Sequence, residues 1–286
     1  MDSKQEDKTM EFVKMHGLGN DFIITRVASW QEAEDLQPYA VKLCDRYYGI
    51  GADGLVAFGC GEDADLFMRI FNPDGSEAEM CGNAIRCIAQ YAWQNRITDN
   101  NPVAVKTRAG VKYPEILLGG EENLLVRVDM GEPILEPASI PVLGSDNKTN
   151  IIVDGVLFEI TAVSMGNPHC IIITEDIAKI DIAKWGPLLE NHSYFPARTN
   201  VEFVQVNDPE DISLKVWERG AGITQACGTG ACATLVAAVL NGLSERKATV
   251  HLPGGDLLIE WPESDNHVYM IGPATHVYKG SIELNI

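Results

Sequence analysis

The chain has 286 residues, of which 45% are hydrophobic and 22% are charged. This composition is typical of a globular protein with one or two domains and excludes a disordered chain. The formal net charge of −19 repels phosphate backbones and anionic lipids, so we expect neither nucleic acid nor a membrane surface as a partner. The N-terminus lacks the pattern of a secretory signal and no apolar run is long enough to span a bilayer, which predicts a cytoplasmic protein.

Taken in chain order, the predicted elements are mainly strands. In the first half, apolar strands are predicted within HGLGNDFII (16–24) and GADGLVAF (51–58), and a helix is predicted in AIRCIAQYAW (84–93). Period-two alternation then predicts strands in NLLVRVDM, NIIVDGVLFEITAVSM and DISLKVW. A second helix is predicted in ACATLVAAVL (231–240), followed by strands in ATVHL and GDLLIEW.

The two predicted helices carry few polar residues, and the second has no charged residue on any face. A helix that is apolar all round has to be buried. The sequence therefore predicts an α+β fold of two similar lobes with a cleft between them, in which each lobe wraps a β-barrel-like sheet around one central helix.

An internal repeat is marked by Cys81 and Cys227, which lie 146 residues apart. Three further pairs of segments keep nearly the same step ahead of the two cysteines. These pairs are HGLGNDFII with MGNPHCIII, GADGLVAF with RTNVEFVQ, and FMRIFNPDG with LKVWERGAG. Because the spacing drifts by about one residue only, we infer a duplicated domain.

Each of these cysteines precedes a glycine at the predicted start of a helix. The first turn of a helix has unpaired N–H groups and a partial positive charge. Gly82 and Gly228 permit close backbone approach, and Asn83 and Thr229 can add hydrogen bonds, so both helix starts are predicted to bind a carboxylate. The same field is expected to lower the pKa of both cysteines.

Two such helix starts predict an acid–base pair without a cofactor. If both act on one amino acid, a thiolate removes the α-proton and the opposite thiol returns a proton to the other face, which inverts the centre. The remaining cysteines are interpreted as small buried hydrophobes. These are Cys44, Cys60, Cys87, Cys170 and Cys232. Their number and spacing favour neither a disulfide framework nor zinc, and no metal site is expected.

The motifs HGLGNDF, FNPDGSEAEMCGNAIRC, GNPHC, TNVEF and ERGAGITQACGTGACA together resemble the diaminopimelate epimerase family. The resemblance runs from about Glu11 to the GPATHVYKG segment. It implies a cofactor-independent isomerase that converts LL-2,6-diaminopimelate into the meso isomer, for lysine and peptidoglycan precursor synthesis. It also implies an N-terminal lobe of residues 1–127 with a return strand at 273–286, a C-terminal lobe of residues 128–272, and a homodimer in which Tyr278 aligns with an interface tyrosine.

The resemblance implies that Cys81 and Cys227 are the acid–base pair and that His169 and Glu218 are their partners. Added to the helix-start residues Gly82, Asn83, Gly228 and Thr229, the implied substrate-binding set is Asn20, Asn72, Asn167, Asn200, Glu218 and Arg219. The guanidinium of Arg219 matches a carboxylate, whereas the asparagines are also typical turn residues. Some family members have a glutamine where this chain has Gly54, so a water or another side chain would have to replace that contact.

Alternatives remain open at this stage. Within the same fold, the chain could be a pyridoxal-independent racemase of another amino acid, or an isomerase that drops one thiol, although both thiols are present. A thiol-redox or zinc-binding protein would not need two glycine-backed helix starts one repeat apart. The segment GIGADG (49–54) fits a dinucleotide-binding pattern, but a helix-like segment precedes it and a strand-like run follows, the reverse of the required order.

Overall fold

The computed structural model describes residues 9–119 and 123–284. The chain divides into two compact units, Met1–Val128 with Pro273–Ile286, and Asp129–Gly272. We refer to them as unit 1 and unit 2. No helix within the described residues is both long and apolar enough to cross a membrane.

Unit 1 contains a few helices and an eight-stranded sheet, which is formed by its first seven strands and the last strand of the chain. In chain order its elements are β1 (Thr9–Gly17), β2 (Asn20–Arg26), α1 (Trp30–Glu34), a 3-10 helix (Gln37–Tyr39), α2 (Ala40–Cys44), β3 (Gly54–Cys60), β4 (Leu66–Phe71), β5 (Glu77–Ala78), α3 (Gly82–Gln94), β6 (Val105–Thr107), β7 (Gly110–Lys112), β8 (Glu115–Gly119) and β9 (Asn123–Asp129). The last strand of the chain, Thr275–Glu283, also belongs to unit 1 and pairs antiparallel with β1.

Unit 2 is likewise built from strands and a few helices. They are β10 (Lys148–Val153), β11 (Val156–Ser164), β12 (Pro168–Ile173), a 3-10 helix (Ile177–Lys179), α4 (Ile182–Glu190), β13 (Asn200–Asp208), β14 (Asp211–Glu218), β15 (Gly222–Ile223), α5 (Gly228–Leu240), β16 (Lys247–Leu252), β17 (Gly255–Glu260) and β18 (Tyr269–Pro273). The strand that follows, Thr275–Glu283, is therefore β19.

The strand order of the two sheets confirms the repeat. In unit 1, β1 to β4 lie side by side with β2 parallel to β3, and β4 is parallel to β6 across the connection that contains α3. In unit 2, β11 to β14 lie side by side with β12 parallel to β13, and β14 is parallel to β16 across the connection that contains α5. Even the short side strands correspond, since β5 pairs with β4 and β15 pairs with β14.

The central helix of unit 2 is enclosed by its sheet, as predicted. Every residue of α5 from Gly230 to Ala238 is buried, and the helix contacts β11, β12, β13, β14, β16 and β17. One helix can touch so many strands of a single sheet only if the sheet curves around it. The burial of this apolar run contributes hydrophobic stabilisation at the centre of unit 2.

The central helix of unit 1 is also buried, but it differs from that of unit 2 because its buried face contains polar side chains. The helix α3 packs against β1, β2, β4 and β8, yet Arg86 and Gln90 are buried within it. Arg86 Nε donates to the carbonyl of Pro273 at 3.3 Å, and Gln90 Nε2 donates to the carbonyl of Ala274 at 2.7 Å. These two side chains therefore hold the returning chain just before β19.

Candidate active site

Cys227 is the residue that caps the start of α5, as the sequence predicts. Its backbone is extended (φ −116°, ψ 105°), and its sulfur accepts a hydrogen bond from the backbone N–H of Gly230 at 3.4 Å. The hydroxyl of Thr229 lies 3.6 Å from the same sulfur. A thiol thus takes the position that a serine or aspartate oxygen commonly occupies at a helix start.

The expectation that the helix start lowers the pKa of this cysteine is wrong for Cys227. Burial, followed by the charges of Glu218 and Glu202, raises the pKa of the Cys227 thiol well above its usual value. Desolvation and two carboxyl groups outweigh the helix dipole because Cys227 is only 4% exposed. The resting group is therefore a thiol, and its conversion to a thiolate needs a neighbouring base.

Glu218, at the end of β14, is placed to be that base. Burial raises the pKa of its carboxyl group, while hydrogen bonds from Thr224 and Cys227 partly oppose the shift. Thr224 Oγ1 donates to Glu218 Oε1. A buried carboxyl group with a raised pKa, hydrogen-bonded to a thiol, can exchange a proton with that thiol near neutral pH.

His169 lies in the same part of unit 2 and is fully buried on β12. Its Nδ1 is 2.7 Å from Glu202 Oε1, and its Nε2 is 3.1 Å from Asn167 Oδ1. Two groups that the resemblance implies, His169 and Asn167, are thus brought into contact. The buried carboxyl group of Glu202 was not identified from the sequence.

A signal for Glu202 exists in the repeat. The aligned repeat segments GADGLVAF and RTNVEFVQ place Glu202 at the position of Leu55. Both Glu202 and Leu55 are completely buried. A glutamate at a position where the other copy has a buried leucine indicates a special role, because an ionisable side chain is rarely fully buried.

Cys81 begins α3 in unit 1 with a similarly extended backbone (φ −140°, ψ 119°) and is partly exposed. In the first turn, Asn83 Nδ2 donates to Asn20 Oδ1 at 2.9 Å, and Asn20 Nδ2 donates to Asp53 Oδ2 at 2.9 Å. The structure therefore joins Asn20 and Asn83, two predicted binding residues. The structure also brings in Asp53, which lies in the repeated segment GADGLVAF and was not predicted as a binding residue.

Behind these asparagines lies a charged cluster that sequence reasoning missed. Arg46 bonds to both Asp21 and Asp53, and Lys14 forms a 2.7 Å ion pair with Asp21. Although partial burial opposes the effect, hydrogen bonds from Arg46 and Lys14 lower the pKa of Asp21 to about 2. These cations keep the carboxylate of Asp21 ionised, and Asp53 accepts the hydrogen bond of Asn20.

The other predicted binding residues make contacts within the protein. Asn200 donates to the carbonyl of Pro168 at 2.8 Å and accepts from the backbone N–H of Arg219 at 2.9 Å. The exposed side chain of Arg219 donates to the carbonyl of Ala197 at 3.0 Å. Asn72 bonds to Ser76 within its own turn. Asn200 therefore holds the backbone beside Glu218, and Asn72 stabilises a turn.

The neighbours of Gly54 leave little space for a side chain at this position. A Cβ atom on Gly54, at the start of β3, would lie 3.3 Å from the carbonyl oxygen of Phe71, so a glutamine would require the neighbouring strand to shift. The short helix α2 precedes this stretch and β3 follows it. This order is the reverse of a dinucleotide-binding motif.

The remaining cysteines are buried with one exception. Burial raises the pKa of the thiols of Cys44 and Cys87 to about 12, and burial also raises the pKa of Cys170. Cys232 is buried as well. Cys60 was predicted to be buried but is exposed, because it ends β3, and its sulfur accepts from Arg26 at 3.4 Å. Among the described residues, no group of three or more His, Cys, Asp or Glu is placed to hold a metal ion.

Comparison with known proteins connects this arrangement to a family. The family model for diaminopimelate epimerase matches residues 12–136 and 161–277. The chain is 54% identical to the diaminopimelate epimerase of Pelotomaculum thermopropionicum over 277 residues, covering 95% of this chain and 98% of the relative. It is 50% identical to that of Methanococcus maripaludis strain C6 over 278 residues, covering 96% and 100%.

Solved structures with the same fold are much more distant in sequence. A PhzF-family phenazine biosynthesis protein of Bacillus anthracis matches with a TM-score of 0.72 at 15% identity, covering 97% of this chain and 100% of that one. A hydroxyproline epimerase of Agrobacterium vitis matches with a TM-score of 0.70 at 12% identity, covering 99% and 95%. These two comparisons show the fold alone. On the family model and the near-full-length relatives, this chain belongs to the diaminopimelate epimerase family.

Proposed function

We propose that this chain interconverts LL-2,6-diaminopimelate and meso-2,6-diaminopimelate without a cofactor, with Cys81 and Cys227 as the two acid–base groups. The observation that carries the proposal is structural: each thiol caps the start of the central helix at an equivalent position of the repeat, with a glycine directly after it. Inversion needs one group on each face of the α-carbon, and a duplicated unit supplies two.

The helix starts would stabilise the reaction intermediate. Removal of the α-proton leaves a carbanion whose negative charge spreads onto the substrate carboxylate. Backbone N–H groups at Gly82 and Gly228 are suited to that carboxylate, because no side chain blocks their approach. Loss of one such donor in other enzymes costs about 10²–10³-fold in rate.

In unit 2 the proton leaves the thiol through Glu218. The Cys227 thiol gives its proton to the Glu218 carboxylate, and the resulting thiolate takes the α-proton from the substrate. In the opposite direction, the protonated thiol donates to the carbanion and is restored from Glu218. Burial raises the pKa of both the Cys227 thiol and the Glu218 carboxyl group. Because both shifts have the same direction, the proton can still pass between the two groups.

The substrate has a second amino-acid end, and Arg219 with the asparagine set is proposed to recognise it. The Arg219 side chain is exposed beside Glu218. A guanidinium can bind a carboxylate in bidentate fashion. A racemase of a one-ended amino acid would have no use for this cation.

Substrate preference is the direct test of this proposal. Purified protein incubated with LL-diaminopimelate, proline, hydroxyproline and glutamate, followed by chiral chromatography, should produce meso-diaminopimelate and leave the other three unchanged. Inversion of proline or hydroxyproline in preference to diaminopimelate would support a racemase of another substrate and overturn the proposal.

We also propose that the protein works as a homodimer in the cytoplasm. Tyr278, 43% exposed, and Val277, 52% exposed, lie on β19, which is the outermost strand of the unit 1 sheet among the described residues. All seven cysteines are free, which suits a reducing compartment. Light scattering should give about twice the chain mass of 31.3 kDa, and Tyr278→Asp should lower it towards the monomer.

A further inference from the structure

Glu202 is a buried ionisable residue that the proposed mechanism does not use. It lies on β13 with no exposed surface, and its Oε1 is 2.7 Å from Nδ1 of His169. Its other oxygen, Oε2, has no hydrogen-bond partner among the described residues. A carboxylate ion in such a place is costly, so the proton between Glu202 and His169 is favoured on the carboxyl group.

The hydrogen bond at Nε2, the other nitrogen of His169, supports this assignment of the protons. Asn167 presents its Oδ1 to Nε2 at 3.1 Å, and an amide oxygen can only accept. Nε2 therefore carries a hydrogen. With Nε2 protonated, a neutral ring has its lone pair on Nδ1, facing the protonated carboxyl group of Glu202.

The same carboxyl group touches the start of α5. A Cβ atom on Gly230 would lie 2.8 Å from Glu202 Oε1 and 3.1 Å from the sulfur of Cys227. A side chain at position 230 would therefore require Glu202 or Cys227 to shift. Glu202 is thus packed into the cluster that also contains the thiol, and its position is fixed from two sides.

From this geometry, and resting on the proposed function, we propose that Glu202 is a positioning residue that stores a proton for His169. When Nε2–H of His169 leaves Asn167 and gives its proton to the thiolate that the family resemblance pairs with it, the proton on Glu202 Oε1 moves to Nδ1. The ring stays neutral, and the negative charge passes from sulfur to Glu202. The reverse transfer restores both groups, so no proton is gained or lost over the cycle.

The variant Glu202→Gln separates orientation from proton storage. The amide is nearly the same size and its N–H can still donate to Nδ1, but it cannot release a proton. We expect kcat to fall on the order of 10²-fold with KM changed by less than about 2-fold, as for the loss of a general acid–base group. One ionisation should also disappear from the pH profile of kcat. Glu202→Asp, which keeps an ionisable group, should retain that ionisation and an intermediate kcat.

The matched control is Glu159→Gln on the exposed edge of β11, which removes a carboxylate from the same unit without touching His169. Wild-type protein and this control should have equal activity. If neither converts diaminopimelate, the proposed function fails independently of Glu202. If both are active and Glu202→Gln keeps the wild-type kcat and pH profile, proton storage by Glu202 is refuted.

A second measurement decides the case if Glu202→Gln does not fold. Nitrogen-15 NMR of histidine-labelled wild-type protein, with the His169 signals assigned by a His169→Gln variant, reports which ring nitrogen is protonated. We expect a protonated Nε2 and a hydrogen-bond-accepting Nδ1 at neutral pH. A ring protonated at Nδ1 alone would overturn the proposal.

Discussion

The starts of α3 and α5 share a backbone and differ in the charges around it. Both begin with an extended cysteine followed by a glycine. Around α3, the carboxylates of Asp21 and Asp53 are neutralised by Lys14 and Arg46. Around α5, the carboxyl groups of Glu202 and Glu218 face a histidine and a thiol instead.

This difference indicates that the two copies kept the same helix start while the ionisable groups around it diverged. In unit 1, hydrogen bonds from Arg46 and Lys14 lower the pKa of Asp21, while Asp53 accepts from Asn20, which in turn accepts from Asn83. In unit 2 burial raises the pKa of Glu202 and Glu218, so these groups can carry protons. Cys81 therefore lies near carboxylates that are paired with cations, whereas Cys227 lies near carboxyl groups whose pKa is raised by burial.

The largest effect is expected from removing either thiol. Cys81→Ala and Cys227→Ala should each lower kcat on the order of 10³-fold, because general acid–base catalysis at one face of the substrate is lost. Both variants should remain folded by circular dichroism. Cys60→Ala, which removes an exposed thiol, is the control and should be fully active. Near-normal activity of either alanine variant would remove that cysteine from the mechanism.

Glu218→Gln tests the acid–base character assigned to the α5 start. We expect kcat to fall about 10²-fold, since the amide cannot accept the proton of Cys227. Below the raised pKa of Glu218, wild-type activity should decline as the carboxylate is protonated, and the variant should lack this decline. Glu210→Gln, an exposed position before β14, is the matched control. A pH profile that is the same in wild type and Glu218→Gln would contradict the assignment.

Gly230→Ala tests whether the start of α5 has space for a side chain at position 230. Helix propensity alone favours alanine by about 1 kcal/mol. The new methyl group would meet Glu202 and Cys227, however, so we expect at least a tenfold loss of kcat and a lower melting temperature. A variant that melts higher and stays active would show that the two side chains have room to move.

The smallest effect is expected from the charged cluster of unit 1. Because the folded-state pKa of Asp21, about 2, lies below its unfolded value near 4, its contribution to stability is complete above pH 4 and is lost as the pH falls towards 2. Asp21→Asn should lose about 2 kcal/mol of unfolding free energy at pH 7. It should also show a flatter dependence between pH 4 and 2.

Urea unfolding at several pH values measures both quantities. The exposed residue Asp99 provides the control, and Asp99→Asn should unfold like the wild type at each pH. If Asp21→Asn has the wild-type stability at pH 7, the ion pairs of the cluster contribute nothing.

The sequence predicted those features that depend on local pattern. Both central helices, the strands beside them and the repeat follow from periodicity and spacing, and the cysteine-glycine pairs lie where those patterns place them. The interpretation of α3 as sparsely polar missed the importance of Arg86 and Gln90. Their partners are carbonyl groups almost 190 residues further along the chain, which no local pattern could indicate.

Features that depend on strand pairing were not predictable in the same way. Asp21 and Asp53 meet only because β2 and β3 are parallel with Phe22 opposite Gly54. The pKa of Cys227 was predicted in the wrong direction because the local helix field was considered without the burial and the distant carboxyl groups. The contact between His169 and Glu202 likewise depends on the parallel pairing of β12 and β13.

The central claim is that two thiols exchange the α-proton through the solvent. It is tested most directly by running the reaction from LL-diaminopimelate in deuterated water and following the inverted centre by mass spectrometry and NMR. The account predicts that each newly formed meso molecule carries a solvent deuteron at that centre. Product that retains its original hydrogen at the inverted carbon would contradict it.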